Sequence, residues 1–366
     1  LTIETNLFDP NVFYSRQIAL PELGRQGQEK LRRSRVAIVG VGGLGSVSAL
    51  YLALAGIGYI KLIDQDTVEI HNLHRQVLYS LENVRYPKVE AAVQRIKSIN
   101  PDVKVDPIPE NVREDNVEEL ISGVDVVVDG LDNMKTRYLI NEACAKHRIP
   151  YVFGGAIGME GNISVFAPPE TPCLECVFPN VEDHQLPTCD IRGVLGATSG
   201  IIGALEAMET IKLIAGIGET LKGKMLVCDF KTMDFVKFDV FKRPDCPICQ
   251  GKKAKTPRIK GRLTWLCGQK TVNVNPPRQI TLELGDIYEG LKSCFKVLLK
   301  SSVVIVFEYD GVEVSLFKNG RMLIKNVEDE ENALRIYKSI MNYLGVKIWL
   351  DDMKSSGELY AQSLQS

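Results

Sequence analysis

Glycines at positions 40, 42, 43 and 45 stand between a short apolar run, Val36 to Val39, and apolar residues at helical spacing, Leu44, Val47, Leu50, Tyr51 and Leu54. A glycine loop of this kind lets backbone approach a phosphate, and the helix N-terminus adds unpaired N–H groups and the positive end of its dipole. Asp64 lies 24 residues after Gly40, at the end of a second apolar run, Tyr59 to Ile63, where a carboxylate can accept ribose hydroxyls. Polar groups crowd the segment that follows: Asp66, Asn72, Arg75 and Gln76. Another apolar run, Val124 to Val128, ends in Asp129, Asp132 and Asn133. Ligands of doubly wound sheets sit outside the carboxyl ends of the strands, so Asp64 and Asp132 can line one crevice. The chemistry is nucleotide binding; the loop by itself does not say which nucleotide, and a dinucleotide is the default.

A second set of residues has metal-binding spacing. Cys173/Cys176 and Cys246/Cys249 are two C-x-x-C pairs flanked by prolines. Four thiolates so arranged make a closed, structural zinc site; a redox dithiol would need one pair at a helix start in a thioredoxin-type unit, which the surrounding pattern does not offer. Cys189 belongs to neither pair. Its loop, QLPTCDIRGVLGATSG, leaves two readings open: a free surface thiol, or a nucleophile or sulfur carrier whose pKa His184 could tune.

The elements that must position these groups alternate between strand and helix. After the first strand, helix and second strand, the pattern predicts a helix from Val89 to Ile99, opened by Pro87–Lys88, a strand from Val103 to Ile108, and a short helix within Glu110 to Leu120. A helix over Tyr138 to His147, strands at Tyr151 to Gly155 and Asn162 to Phe166, a helix from about Gly200 to Ile214, and two strands within Met225 to Phe241 follow. Before them, Asn11 to Lys30 forms an arm in which Phe13, Tyr14 and Ile18 can bury a short helical face beside Arg16 and Gln17. The fold class is α/β: a Rossmann-like, doubly wound, mostly parallel sheet with a structural zinc site, plus a small C-terminal α+β domain. Residues 1–250 form the first domain, with an arm (1–34), a nucleotide-binding part (35–155) and a zinc and loop part (156–250). A basic linker spans 251–262. The remaining residues, 263–366, carry two hairpin turns, Asp310–Gly311 and Asn319–Gly320, between alternating strands, and an amphipathic helix from Glu330 to Leu344.

The 366 residues suffice for two domains, and Lys plus Arg (44) nearly balance Asp plus Glu (46), so no basic field points to nucleic acid or to an anionic membrane. No apolar stretch is long enough for a transmembrane helix, and the polar start, LTIETNLFDP, does not read as a signal peptide. Nine cysteines with no export signal suggest a reducing, cytoplasmic location.

Taken in order, YSRQIALPELG, VAIVGVGGLGS, LIDQDTVEIHNLHRQ, PKVEAA, DGLDNMKTR, CLEC, TCDIRGVLGATSGIIGALEAMETIKL and CPIC resemble the ubiquitin-activating superfamily. They are most similar to the homodimeric adenylyltransferases of ubiquitin-like sulfur carriers in molybdopterin and thiamine biosynthesis and their tRNA-thiolation relatives. The resemblance covers about residues 11 to 250. It implies ATP-dependent adenylation of the C-terminal glycine of a ubiquitin-like protein ending in Gly-Gly. Gly40 to Gly45 would cradle the phosphates and Asp64 would bind ribose, with Asp66 beside it. Asn72, Arg75, Gln76 and Lys88 would hold the triphosphate. Asp132 would coordinate magnesium, with Asn133 next to it. Arg16 would reach the ATP of the partner subunit, and Cys189 would form a thioester or persulfide with the activated carrier. The chemistry agrees: carboxylate and ATP are both anions, and magnesium with Arg16, Arg75 and Lys88 would stabilise charge on the triphosphate. A conjugating enzyme or a sulfur donor is a further partner that the C-terminal domain could recruit. Residues 263–366 depart from it, showing no rhodanese-type cysteine loop. Two alternatives remain: a nucleotide-gated scaffold that recruits a partner through its C-terminal domain, and an NAD-dependent oxidoreductase.

Overall fold

Five short segments become the parallel strands of one sheet: β1 (Arg35–Val39), β2 (Tyr59–Ile63), β3 (Lys104–Ile108), β4 (Val126–Asp129) and β5 (Tyr151–Ile157). Three antiparallel strands extend it: β6 (Glu160–Phe166), β7 (Lys224–Asp229) and β8 (Asp234–Asp239). The order is β3-β2-β1-β4-β5-β6-β7-β8, so the winding reverses between β1 and β4. In the computed structural model, residues 8–183, 192–252, 263–265, 270–278 and 280–346 are described. They fall into two compact units, Leu1–Arg258 and Ile259–Ser366. His184 and Cys189 lie outside the described residues.

The central strands are mostly apolar because both faces are covered. Val36 and Ile38 pack with the helices Gly43–Ala55, Lys88–Ile99 and Gly196–Ala215 in one core cluster; Ala37 and Val39 pack with the helix Met134–His147 in another. Register brings three strand ends level, since Val39 pairs with Ile63 on one side and with Asp129 on the other. The Gly40 N–H donates to the Ile63 carbonyl (2.8 Å) and the Gly130 N–H to that of Val39 (2.7 Å). Asp64, the glycine loop and the Asp129–Asn133 turn therefore meet at the switch point.

Some expectations change. The helix expected within Glu110–Leu120 shrinks to Val117–Leu120: Asn116 accepts the Arg113 N–H and donates to the Asn111 carbonyl, and such side-chain bonds compete with helical ones. The helix of Tyr138 starts a turn earlier, at Met134, because Asn133 caps it by accepting the Thr136 N–H. The long helix begins at Gly196 rather than Gly200. Of Phe13, Tyr14 and Ile18, only Tyr14 is buried.

Among the described residues, the second unit is a six-stranded antiparallel sheet with two helices, Leu284–Cys294 and Glu330–Tyr343. Its strands are β9 (Leu263–Trp265), β10 (Thr271–Val274), β11 (Val297–Lys300), β12 (Val304–Tyr309), β13 (Val312–Phe317) and β14 (Met322–Lys325), in the order β11-β12-β13-β14-β10-β9. Asp310 and Gly311 both have positive φ (48° and 79°) and join Tyr309 to Val312, the two-residue turn expected of Asp-Gly.

Candidate active site at the switch point

The glycines divide into two kinds. A Cβ on Gly40 would lie 2.4 Å from the Gly130 carbonyl oxygen, and one on Gly45 would lie 1.9 Å from that of Gly40. These two are needed for backbone to pass backbone, with Gly40 also at φ 86°. Gly42 is different: a Cβ there would meet nothing nearer than Gln76 Nε2, at 3.8 Å. Gly42 is also the N-cap of the helix Gly43–Ala55 and offers no side chain to its N–H groups. Space and free donors thus coincide where an anion would sit.

The loop is braced from below. Asp64 Oδ2 accepts the Val41 N–H (2.7 Å) and Oδ1 accepts that of Asp66 (2.8 Å). Burial pushes the Asp64 carboxyl up, and Lys88 opposes the shift. The Tyr79 hydroxyl donates to the Val41 carbonyl (2.8 Å), so Val41 is held at both its N–H and its C=O. Lys88, buried at the start of its helix, donates to Asp66 Oδ2 at 2.9 Å. Desolvation pulls its pKa down, but Asp64, Asp66 and Asp132 together raise it above the ordinary lysine range. Lys88 is therefore a fixed cation facing three carboxylates from two strand ends.

The remaining residues named from the sequence take varied places. Arg75 Nη1 donates to the His71 carbonyl (3.0 Å) and meets His74 Nε2 at 2.9 Å, and its Cδ lies 3.6 Å from where a Gly43 Cβ would be. Partial desolvation and the Arg75 charge lower the His74 pKa, which suits an accepting Nε2. Asn72 is buried and accepts the Glu69 N–H, a capping role. Gln76 is buried with Oε1 unpartnered, as is Asp66 Oδ1. Both orphaned atoms are acceptors and fit a ligand's N–H or O–H or a cation, while Gln76 Nε2, the side-chain atom nearest the open face of Gly42, is a donor that suits an anion. Asp132 is exposed and accepts from Asn133 Nδ2 (3.1 Å), while the Oδ1 of Asn133 caps its helix. Arg16 is exposed on the short helix Ser15–Ile18.

Several roles at the site escaped sequence reading, including that of Asp129, which the sequence marks only as a strand end. Fully buried Asp129 accepts from Arg137 Nε (2.9 Å), the Tyr151 hydroxyl (2.5 Å) and the Leu131 N–H (2.8 Å). Arg137 Nη2 donates to the Leu131 and Gly154 carbonyls (2.7 and 2.8 Å). This network fixes the turn that carries Asp132. Its one visible signal is Arg137 standing in the apolar i, i+3, i+7 series with Ile140 and Cys144. Tyr79 and Ser199 gave none. The Ser199 Oγ lies 3.0 Å from a Gly43 Cβ position, and a Gly196 Cβ would sit 2.5 Å from the His74 carbonyl oxygen, so the long helix starts against the loop.

The four paired cysteines converge. Their sulfurs all lie within 4.8 Å of one another, with Cys173–Cys246 at 3.6 Å, Cys176–Cys249 at 3.5 Å and Cys173–Cys176 at 3.9 Å. Four sulfurs at Zn–S of about 2.3 Å in a tetrahedron stand about 3.8 Å apart, so the set fits zinc.

A model of the ThiF family matches residues 14–248. The chain belongs to the ThiF family. Among curated proteins, the SAMP-activating enzyme E1 of Haloferax volcanii is 42% identical over 64% of this chain and 87% of its own length. The sulfur carrier protein adenylyltransferase of Thermus thermophilus is 40% identical over 64% of this chain and 89% of that protein. The adenylyltransferase and sulfurtransferase MOCS3 of Culex quinquefasciatus is 42% identical over 67% of this chain, and the match spans 57% of that protein. Among solved structures, E. coli MccB with ATP matches at TM-score 0.55 and 26% identity, covering 62% of this chain and 69% of MccB. With ThiF membership, adenylyl transfer replaces the dinucleotide default.

Proposed function

We propose that this chain uses ATP to activate the C-terminal glycine carboxylate of a ubiquitin-like protein ending in Gly-Gly. The observation that carries the reading is the buried Lys88 cation, bonded to Asp66 and drawn by the charges of Asp132 and of Asp64, the acid that braces the glycine loop, in a ThiF-family chain. The carrier's carboxylate oxygen attacks the α-phosphorus, the bond from that phosphorus to the bridging oxygen breaks, and pyrophosphate leaves with the bond's electrons. No general base is required, because the carboxylate is already ionised.

Gly42 and Gly43, Gln76, Asn72, Arg75 and Lys88 hold the triphosphate; Gly40 and Gly45 let the loop close. Asp64 meets ribose with the lone pairs its two N–H bonds leave over. Asp132, with Asn133 beside it, holds magnesium, which when bound neutralises phosphate charge. Zinc at Cys173, Cys176, Cys246 and Cys249 ties the chain after β6 to the chain after β8 and takes no part in the chemistry. The protein acts as a cytoplasmic homodimer in which Arg16 of one subunit reaches the other's ATP; among the described residues, no helix is long and apolar enough to cross a membrane. Residues 1–250 carry adenylation, 251–262 link, and 263–366 recruit a conjugating enzyme or a sulfur donor. The Cys189 thiolate attacks the carbonyl carbon of the carrier adenylate and takes the carrier as a thioester, with AMP leaving; a persulfide link instead requires a sulfur donor that delivers sulfur already at the persulfide level.

The test is exchange of labelled pyrophosphate into ATP. Exchange that needs the chain, magnesium and a Gly-Gly-ending carrier is expected; exchange without the carrier, or none with any such carrier, would sink the reading.

A further inference from the structure

Glu206 is fully buried in the long helix Gly196–Ala215, and among the described residues no cation pairs with it. Its Oε2 lies 2.7 Å from the Ser48 Oγ, in the helix that the glycine loop opens. Its Oε1 has no hydrogen-bond partner. The same Ser48 hydroxyl lies 2.9 Å from the Gly203 carbonyl oxygen and 3.3 Å from that of Leu44. One hydroxyl proton cannot serve three acceptors. Strand β5 makes room for the acid: a Cβ on Gly154 would stand 2.1 Å from Oε1.

The charges around it are already balanced. Asp129 and Arg137 are the charged side chains that act on Glu206, and they pair with each other, with Tyr151 as a further donor to Asp129. On the other packed elements, Glu160 at the start of β6 pairs with Arg192, and Lys30 of the Gly24–Arg33 helix reaches the Ala215 carbonyl at the far end of the long helix. An ionised Glu206 would be a third, uncompensated charge in this interior, which costs several kcal/mol.

We propose that Glu206 is a neutral carboxylic acid whose O–H donates to Ser48, freeing the Ser48 proton for the Gly203 carbonyl. This relay locks the glycine-loop helix against the long helix. All the distances then make sense: Oε2 is a donor, Ser48 accepts once and donates once, and Oε1 is an uncharged carbonyl-type oxygen, less costly to leave unpaired than the oxygen of a carboxylate. Burial first, then Asp129, pushes the acid well above the ordinary carboxylate range, with Ser48 and Arg137 opposing. The helices touch closely here, since a Gly203 Cβ would lie 2.5 Å from the Leu44 carbonyl oxygen. Leu44 and Ser48 stand within the first turns after the loop, so the relay makes Glu206 a positioning residue for the nucleotide; that last clause rests on the ATP reading above.

The sign of the pH effect follows. The folded chain keeps the proton and the unfolded chain releases it above about pH 4.5, so stability falls as pH rises from there toward the folded pKa. The experiment compares urea unfolding of the full chain and of E206Q from pH 5 to 8.5. The amide keeps an N–H for Ser48 and cannot ionise. Relative to E206Q, the wild-type unfolding constant should rise by up to about tenfold per pH unit. A wild-type to E206Q ratio that does not change with pH would overturn the proposal. If E206Q does not fold, the infrared spectrum at pH 7 decides: a neutral carboxylic-acid carbonyl band that moves in S48A supports it, and the lack of any such band overturns it. Positioning is read by titrating a fluorescent ATP analogue at pH 7. E206Q should bind within about twofold of wild type and E206L about tenfold or more weaker, a difference of about 1.4 kcal/mol; E206L binding like wild type would overturn the positioning role. If even the wild type binds no nucleotide, the ATP reading fails, while the pH slope still decides the acid.

Discussion

Lys88 does two things at once. It holds Asp66 at 2.9 Å, and it presents the buried positive charge that a triphosphate needs. Lys88→Ala should therefore lose pyrophosphate exchange by about a hundredfold or more. It should also destabilise the fold by about 1–3 kcal/mol, discounted from a fully buried pair because a third of the Asp66 side chain is exposed. Exchange assays and urea melts of the same preparation separate the two effects; a melt shift with unchanged exchange would show that Lys88 only supports the loop. Asp64 shows what residue type alone leaves out. Its position suggests a ribose ligand, and in the fold each of its two oxygens also holds a backbone N–H, that of Val41 or of Asp66. No spacing rule shows this bracing role, because the partner is a backbone group of the next loop.

The glycine loop separates architecture from ligand space. G45A would drive a Cβ to 1.9 Å from a backbone oxygen that cannot yield, so that variant should fail to fold or melt far below wild type. G42A meets nothing nearer than 3.8 Å, so it should keep the fold at a cost of about 1 kcal/mol. Its nucleotide binding should weaken about tenfold, about 1.4 kcal/mol. Melts with titration of a fluorescent ATP analogue check the pair, and equal behaviour of the two variants would refute the division. The zinc element makes its own forecast. Metal analysis of the purified chain should find one zinc per chain, and C246S, which removes a fully buried ligand, should lose it and lower the melting temperature. A metal-free wild type with an unchanged melt on chelation would leave the four thiols as mere packing.

At the scale of the molecule, the site draws on the ends of β1, β2 and β4, the start of the long helix and, in the proposed dimer, Arg16 of a second subunit. Mixing R16A with D132A chains tests that last part. If Arg16 acts across the dimer, random pairing restores one intact site in half the dimers, so about a quarter of wild-type exchange returns. No recovery after verified subunit exchange would place Arg16 in its own subunit's site or outside catalysis.

By itself the sequence determined the parallel strands, the glycine turn and the Asp-Gly hairpin of the second unit. Each follows from local pattern: apolar runs for buried strands, φ that glycine tolerates, turn residues that fit a twisted ribbon. It also singled out the four zinc-type cysteines, because C-x-x-C spacing already places two sulfurs on one turn. Where the long helix begins, why Gly40 and Gly45 differ from Gly42, and how Asp129, Arg137 and Tyr151 hold the Asp132 turn were decided by tertiary structure. Those features depend on which backbone passes within 2–3 Å of which, and on buried charges that find partners far along the chain. Tyr79 braces Val41 from 38 residues away, and Ser48 meets Glu206 from 158 residues away. Contacts at that separation leave no local period to read, so only the packed fold shows that the loop is held on every side.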